Sequence, residues 1–177
     1  MNRYIILLRG VNVSGSNIIK MADLKTALQS SEDFADVVTY IQSGNIVLSS
    51  KLGAQEVEEA IHKLIQTQFG FDVPVLAIQP DYLKQVLDNN PYDKEDDKKQ
   101  YFMFLYADPE VDINSVINAA DYPNEGFQLG NKVIYFYFQL GAGKAKLSNN
   151  ALEKKLKVTA TTRNRNTVKK LIELSNS

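Results

Sequence analysis

The chain has no cysteine and no tryptophan, a single histidine and only five prolines among its 177 residues. Without cysteine there can be no disulfide, no thiolate nucleophile and no thiolate metal site. The composition fits a reducing interior, so a cytoplasmic protein is expected. The lone histidine, His62, gives neither a metal cluster nor a Ser-His-Asp triad anything to assemble around. It lies beside Ile61, off the apolar stripe of its segment, and reads as a surface residue. No apolar run approaches the ~18 residues a membrane span requires. The first apolar run begins at Tyr4 with no basic n-region and no cleavage site. Neither a signal peptide nor a membrane partner is therefore expected, and no metal or cofactor either.

What is present is a 44% hydrophobic chain, which suits one globular unit or two closely packed halves. Its net charge of −1 hides an asymmetry. Residues 1–140 hold 11 Lys and Arg against 19 Asp and Glu, whereas residues 141–177 hold 9 against 2. A basic end on an acidic body points to a phosphate or nucleic-acid partner. The plainer reading is that these basic helices dock on acids of the same chain or face water.

The apolar run Tyr4–Leu8 ends at Arg9-Gly10. A loop rich in Asn, Ser and Gly follows, and Met21, Leu24 and Leu28 then recur at helical spacing. This predicts strand, loop and helix. Val37–Ile41 predicts a second strand, with Gln42–Asn45 as the turn and Ile46–Leu48 as its return. Val57, Ile61, Leu64, Ile65 and Phe69 mark a helix over 54–69 with acids in its first turns and Gly70 as its stop. Val73–Ile78 predicts a further strand, placed at an edge or a strand start by Pro74.

The order strand, helix, strand, strand, helix, strand is the ferredoxin-like βαββαβ pattern. Right-handed crossovers would make strands one and two parallel, with strand three between them and antiparallel to both. The expected class is therefore α+β. A ferredoxin-like half over 1–79 would pack against a smaller α/β half over 80–177 that ends in two basic helices. The same topology brings the Arg9–Lys20 loop and the Gln42–Asn45 turn to one edge of the sheet, although they are distant in sequence.

In the second half, helices are expected over 80–87, 112–120 and 149–156, the last capped by Ser148. A terminal helix carries Val168, Leu171, Ile172 and Leu174, with Thr161–Thr167 at its start. Tyr101–Ala107 predicts a strand, and Phe127–Phe138 a hairpin around Gly130-Asn131. The DKEDDKK run within 89–100 reads as a charged surface loop. Tyr4–Leu8, Tyr101–Ala107 and Val133–Phe138 are apolar at nearly every position, so both of their faces should be covered.

Two motifs fail on inspection. Gly141-Ala142-Gly143-Lys144 lacks the upstream glycine and the hydroxyl after the lysine that a phosphate loop needs. Asp96-Asp97 lacks the spacing of a cation site. Two places remain. One is the pair of loops, where Arg9 could hold an anion and glycines would let backbone N–H groups approach it. The other is Thr161–Thr167, whose arginines at a helix start oppose the macrodipole and so call for an anion or an internal acid. Arg9, Arg163 and Arg165 have no evident sequence-local partners. In the purely structural alternative, Arg9 and Arg163 tie the two halves together.

Three stretches, LRGVNVSGSNIIKMADLK, TYIQSGNIVL and KLSNNALEKKL with ATTRNRNTVKKL, together resemble the bacterial family known as domain of unknown function 1697. The resemblance implies a ferredoxin-like half plus a smaller α/β half and transfers no activity. It carries over Arg9, Asn12, Gly15, Asn17, Ser43, Gly44, Asn45, Thr162, Arg163, Asn164 and Asn166. This chain departs from the family pattern at Arg165, where a tryptophan is usual, and near Lys157, where a glycine is usual.

The leading expectation is a protein that binds an anionic small molecule, a nucleotide or phosphometabolite, through Arg9, Asn12, Asn17, Ser43, Gly44, Asn45, Thr162, Arg163 and Asn164. Nucleic-acid binding through the basic C-terminal segment is the alternative. An enzyme of unspecified reaction in the same cleft ranks third, because no carboxylate pair has a persuasive spacing. The sequence leaves the catalytic question and the oligomeric state open.

Overall fold

In the computed structural model, which describes residues 1–177, the N-terminal apolar run is strand β1 (Asn2–Leu8). It is followed by α1 (Met21–Gln29), β2 (Phe34–Tyr40), β3 (Asn45–Ser50), α2 (Ala54–Phe69), β4 (Val75–Ile78) and α3 (Pro80–Asp88). The sheet order is β2-β3-β1-β4 with every neighbouring pair antiparallel. β3 thus lies between β1 and β2, which run parallel to each other, as the crossover argument requires.

Alternation along β1 sends Tyr4, Ile6 and Leu8 to one face, where they meet Met21, Leu24 and Leu28 of α1 and Val57, Ile61 and Ile65 of α2 in a single core. Ile5 and Leu7 point the other way and are also fully buried, so both faces of this strand are covered. Gly70 ends α2 with φ 76°, and Pro74 stands just ahead of the edge strand β4.

The second sheet is built from β5 (Gln100–Leu105), β6 (Glu125–Leu129), β7 (Val133–Phe138) and β8 (Ala160–Asn164), in the order β6-β7-β5-β8 and again all antiparallel. Met103, Leu105, Ile134 and Phe136 pack with Leu152 and Leu156 of α5 (Asn149–Leu156). Ser148 caps α5, its Oγ accepting from Ala151 N at 3.2 Å. The terminal helix is α6 (Arg165–Ser175). The chain is therefore a mixed α+β protein with two four-stranded antiparallel sheets and six α-helices. Residues Met1–Lys84 with Lys170–Ser177 form one compact unit and Gln85–Lys169 the other. No helix is long and apolar enough to cross a membrane.

Three local expectations change. The helix expected over 112–120 is a single turn, α4 (Ile113–Val116). Asn118 breaks it: its side chain accepts from Ala120 N at 3.2 Å and starts a separate 3-10 turn. Residues 161–164 are not the start of a helix but part of β8, pairing with β5 from Phe104↔Thr161 to Tyr101↔Asn164. Two adjacent β-branched threonines favour that outcome. Finally, His62 is not isolated. Its Nδ1 lies 2.9 Å from Val73 O and its Nε2 3.5 Å from an Asp72 carboxylate oxygen.

Candidate functional site

Between β1 and α1 the backbone takes positive φ at Gly10 (69°), Asn12 (56°), Ser14 (50°), Gly15 (77°) and Asn17 (47°). Glycine adopts this region without steric cost, and asparagine tolerates it better than most residues. The asparagine side chains then hold the loop in place. Asn12 Nδ2 donates to Ile19 O at 2.9 Å and to Gln42 O at 2.8 Å, while Asn12 Oδ1 accepts from Ile19 N at 2.8 Å. Asn17 Nδ2 donates to Gly10 O at 3.1 Å. The Arg9–Lys20 loop and the Gln42–Asn45 turn are therefore neighbours, as the strand order anticipates.

Further bonds fix this edge. Leu8 N donates to Gly44 O at 2.9 Å, and Arg9 N to Pro74 O at 3.1 Å. Gly44 has φ 78°, and a Cβ there would lie 2.8 Å from Leu8 Cβ, so the position excludes every other residue type without a shift of backbone. Asn45 is fully buried, its Nδ2 donating to Tyr40 O at 3.1 Å and to Ser43 Oγ at 2.9 Å.

The predicted asparagines thus act on their own backbone. What the loop leaves unbonded is main chain: the N–H groups of Gly10, Val11, Ser14 and Gly15 find no acceptor within the protein. Positive φ recurring along a short polar loop is the backbone habit from which anion-binding nests are built. Arg9 and the exposed Lys20 flank the loop, and residues 4–22 contain no Asp or Glu. Asp72, ahead of β4, lies against His62, and Glu58 of α2 accepts from Ala77 N of β4 at 2.9 Å.

The remaining predicted residues lie in the second unit. Thr162 Oγ1 donates to Asn149 Oδ1 at 2.8 Å. Asn164, exposed, caps α6 by accepting from Thr167 N at 2.8 Å. Arg163 is 7% exposed, with Nη1 donating to Thr161 Oγ1 at 2.7 Å and to Thr162 O at 2.9 Å. Burial lowers its guanidinium pKa to about 10, with Tyr106 acting in the opposite direction.

Arg165 does have acidic partners. Asp93 of the charged loop accepts from its Nη2, Asp97 lies 3.4 Å from its Nε as an ion pair without a hydrogen bond, and Nη1 donates to the fully buried Gln100 at 2.7 Å. Lys169 Nζ lies 2.7 Å from the other Asp97 oxygen, and Lys170 pairs with Glu173. Of the nine cations in residues 141–177, Arg163 is buried and three more are ion-paired, so four of the nine are tied to the protein itself. The DKEDDKK run supplies two of the acids.

A cavity of about 110 Å³ in the second unit is lined by Tyr122, Asn124, Phe138, Leu140, Lys144 and Lys146, among others, none of them a sequence-predicted site residue. The only signal for it was the Gly141–Lys144 motif, set aside because it is not a phosphate loop. Sites for nucleotide-sized ligands run from about 300 Å³ upward, so this cavity is too small for one.

The family model described as "Protein of unknown function (DUF1697)" matches residues 1–135. The match includes the Arg9–Lys20 loop and the Gln42–Asn45 turn and ends before Thr162. The chain is similar to the solved structure of the conserved bacterial protein SP0830 from Streptococcus pneumoniae, at 23% identity and a TM-score of 0.66, over 98% of this chain and 98% of that one. At that identity the likeness is one of fold. No curated protein matches the chain.

Proposed function

The chain belongs to the DUF1697 family of proteins of unknown function, so membership brings no activity, and we propose from the geometry that it binds an anionic small molecule, a nucleotide or phosphometabolite, at the loop cluster of its first unit. The observation that carries this reading is the Gly10–Asn17 backbone, with positive φ at five positions and with the N–H groups of the unburied Gly10, Ser14 and Gly15 lacking a protein acceptor, in a loop that runs from Arg9 to Lys20. Backbone N–H groups and cations are the two components of most phosphate sites. Asn12, Asn17, Ser43, Gly44 and Asn45 act as the frame that holds the nest, and Arg9 supplies charge at its rim.

Thr162, Arg163 and Asn164 form a second proposed set of anion contacts, argued from the second unit alone. There Arg163, held by Thr161 Oγ1 and Thr162 O, would take an anion in addition to these acceptors. The sheet order β2-β3-β1-β4 of the first unit supports assigning it to the ferredoxin-like arrangement. We place the protein in the cytoplasm, the setting its cysteine-free sequence fits.

The test is a thermal-shift screen of nucleotides and phosphometabolites, followed by amide NMR titration of the best candidate. Stabilisation of the wild type, with the largest shifts at the Gly10 and Gly15 N–H groups, is expected. An Arg9→Ala variant should bind more weakly. No stabilisation by any anion, or equal stabilisation of wild type and variant, would count against the reading.

A further inference from the structure

The same loop cluster carries three of the few large apolar side chains that the protein leaves exposed: Val13 (55%), Ile18 (66%) and Ile41 (49%). They are not scattered. The Asn12 amide holds the carbonyls of Ile19 and Gln42 at 2.9 and 2.8 Å. Val13, Ile18 and Ile41 are the chain neighbours of Asn12, Ile19 and Gln42 respectively. Consecutive Cα atoms are about 3.8 Å apart, so the backbones of all three lie close to this one amide.

Ile41 makes the arrangement harder to explain by folding alone. It sits at φ 48°, where a β-branched residue is strained and asparagine or glycine is the ordinary occupant. Its side chain is then half exposed, so burial does little to offset the strain. A rule of local structure is broken here without a visible gain in the folded chain, which is the pattern of a functional position.

Resting on the anion-binding reading above, we propose that the ligand is an anion carried on an apolar body, such as a monoalkyl phosphate ester. Its charged group occupies the Gly10–Gly15 N–H groups and its apolar part lies on Val13, Ile18 and Ile41. Charge selects the first half of that description: residues 4–22 and 37–55 contain no acid, while the exposed Lys20 ends the loop. The cation count selects a single molecule over a bilayer surface, because lipid-docking surfaces gather about four to eight Lys and Arg and this edge has two.

The experiment is titration of the wild-type protein with inorganic phosphate and with methyl, butyl and octyl phosphate below their aggregation concentrations, followed by amide NMR. A variant carrying Val13→Ser, Ile18→Ser and Ile41→Asn serves as the comparison. All three sites are exposed, and asparagine suits the backbone at position 41, so the variant should fold. In wild type, affinity should rise with chain length by up to about threefold to fourfold per buried methylene. In the variant that dependence should vanish while inorganic phosphate binds as before. Equal wild-type affinity for phosphate and octyl phosphate, or a length dependence kept by the variant, would overturn the apolar half and leave the anion site standing. Absence of binding by every phosphate would overturn both. Binding to phosphatidylglycerol vesicles without binding to soluble octyl phosphate would replace the single-molecule ligand with a lipid surface.

Discussion

The loop after β1 and the β8–α6 junction are built from the same residue types, arginine, asparagine and small hydroxyl residues, and use them in opposite ways. In the loop, asparagine side chains bond to main chain and backbone N–H groups are left over. At the junction the main chain is satisfied by the β5–β8 ladder, and the guanidinium groups are buried among hydroxyl, carbonyl and carboxylate partners. The lesson is that a polar, Asn-rich and Arg-rich motif does not announce a ligand. What decides is which atoms remain unsatisfied once the backbone has folded.

The comparison can be broken most severely at the frame of the loop. Gly44→Ala introduces a Cβ 2.8 Å from Leu8 Cβ at a φ of 78°. Neither atom can rotate away, so the loss combines left-handed strain with overpacking and should reach about 3–4 kcal/mol. Chemical denaturation measures it. A loss under 1 kcal/mol would mean that the turn is not held against β1 as described.

At the junction, Arg165→Ala leaves Gln100 Oε1 with Asn90 as its one remaining donor, strands the Asp93 carboxylate and leaves Asp97 with Lys169 as its cation. Both acids are more than a third exposed, so water takes over part of the role. The expected loss is about 2–3 kcal/mol, below the full cost of a stranded buried charge. If Arg165→Ala proved as stable as wild type, the junction would be a solvated cluster and the contrast with the loop would weaken.

Asn12→Ala removes three hydrogen bonds and places alanine at φ 56°. At roughly 1 kcal/mol for each bond, reduced by water in a half-exposed site, a loss of about 2 kcal/mol is expected. Hydrogen exchange should accelerate over residues 10–20 and 41–44 while the core strands keep their protection.

Much of this frame was legible. A continuous apolar run located β1, apolar periodicity α1 and α2, and the Ser148 cap α5, while the element order with the crossover rule put two distant polar turns side by side. Other features were hidden for physical reasons. Thr161–Asn164 carries strand propensity in its threonines, but the helical pattern directly behind it drew those residues into the helix. The partners of Arg165 lie about 70 residues away in a loop whose composition resembles any solvated charge run. The unsatisfied N–H groups depend on φ values at Ser14 and Asn17 that no side-chain pattern encodes.

The two regions also differ in who occupies left-handed backbone. In the loop it is glycine, asparagine and serine; in the second unit it includes two lysines, Lys132 and Lys157. Lys157 ends α5 with φ 53° and ψ 43°, its N–H bonded to Glu153 O, a position where glycine carries no Cβ penalty. Lys157→Gly should therefore stabilise the protein by about 0.5–1 kcal/mol. Destabilisation would show that the lysine side chain contributes something beyond the cap.

The smallest effect distinguishes the regions most directly, because only the junction contains an ionisable lock. The Asp97 carboxyl is held below its usual range chiefly by its hydrogen bond from Lys169, with the charges of Arg165 and Lys169 adding to it and burial opposing. A carboxylate with a depressed folded pKa contributes stability that is present above its unfolded value, near 3.8, and is lost as pH falls through the lower folded value. Asp97 is 42% exposed, so that contribution is well under about 1 kcal/mol. Acid should accordingly speed amide exchange around residues 97–100 and 164–169 before it affects residues 10–20. Asp97→Asn should flatten this acid response at the junction and leave the loop's response unchanged. If both regions loosened together in wild type, the acid effect would be global and the distinction between a charge-locked junction and an amide-locked loop would fail.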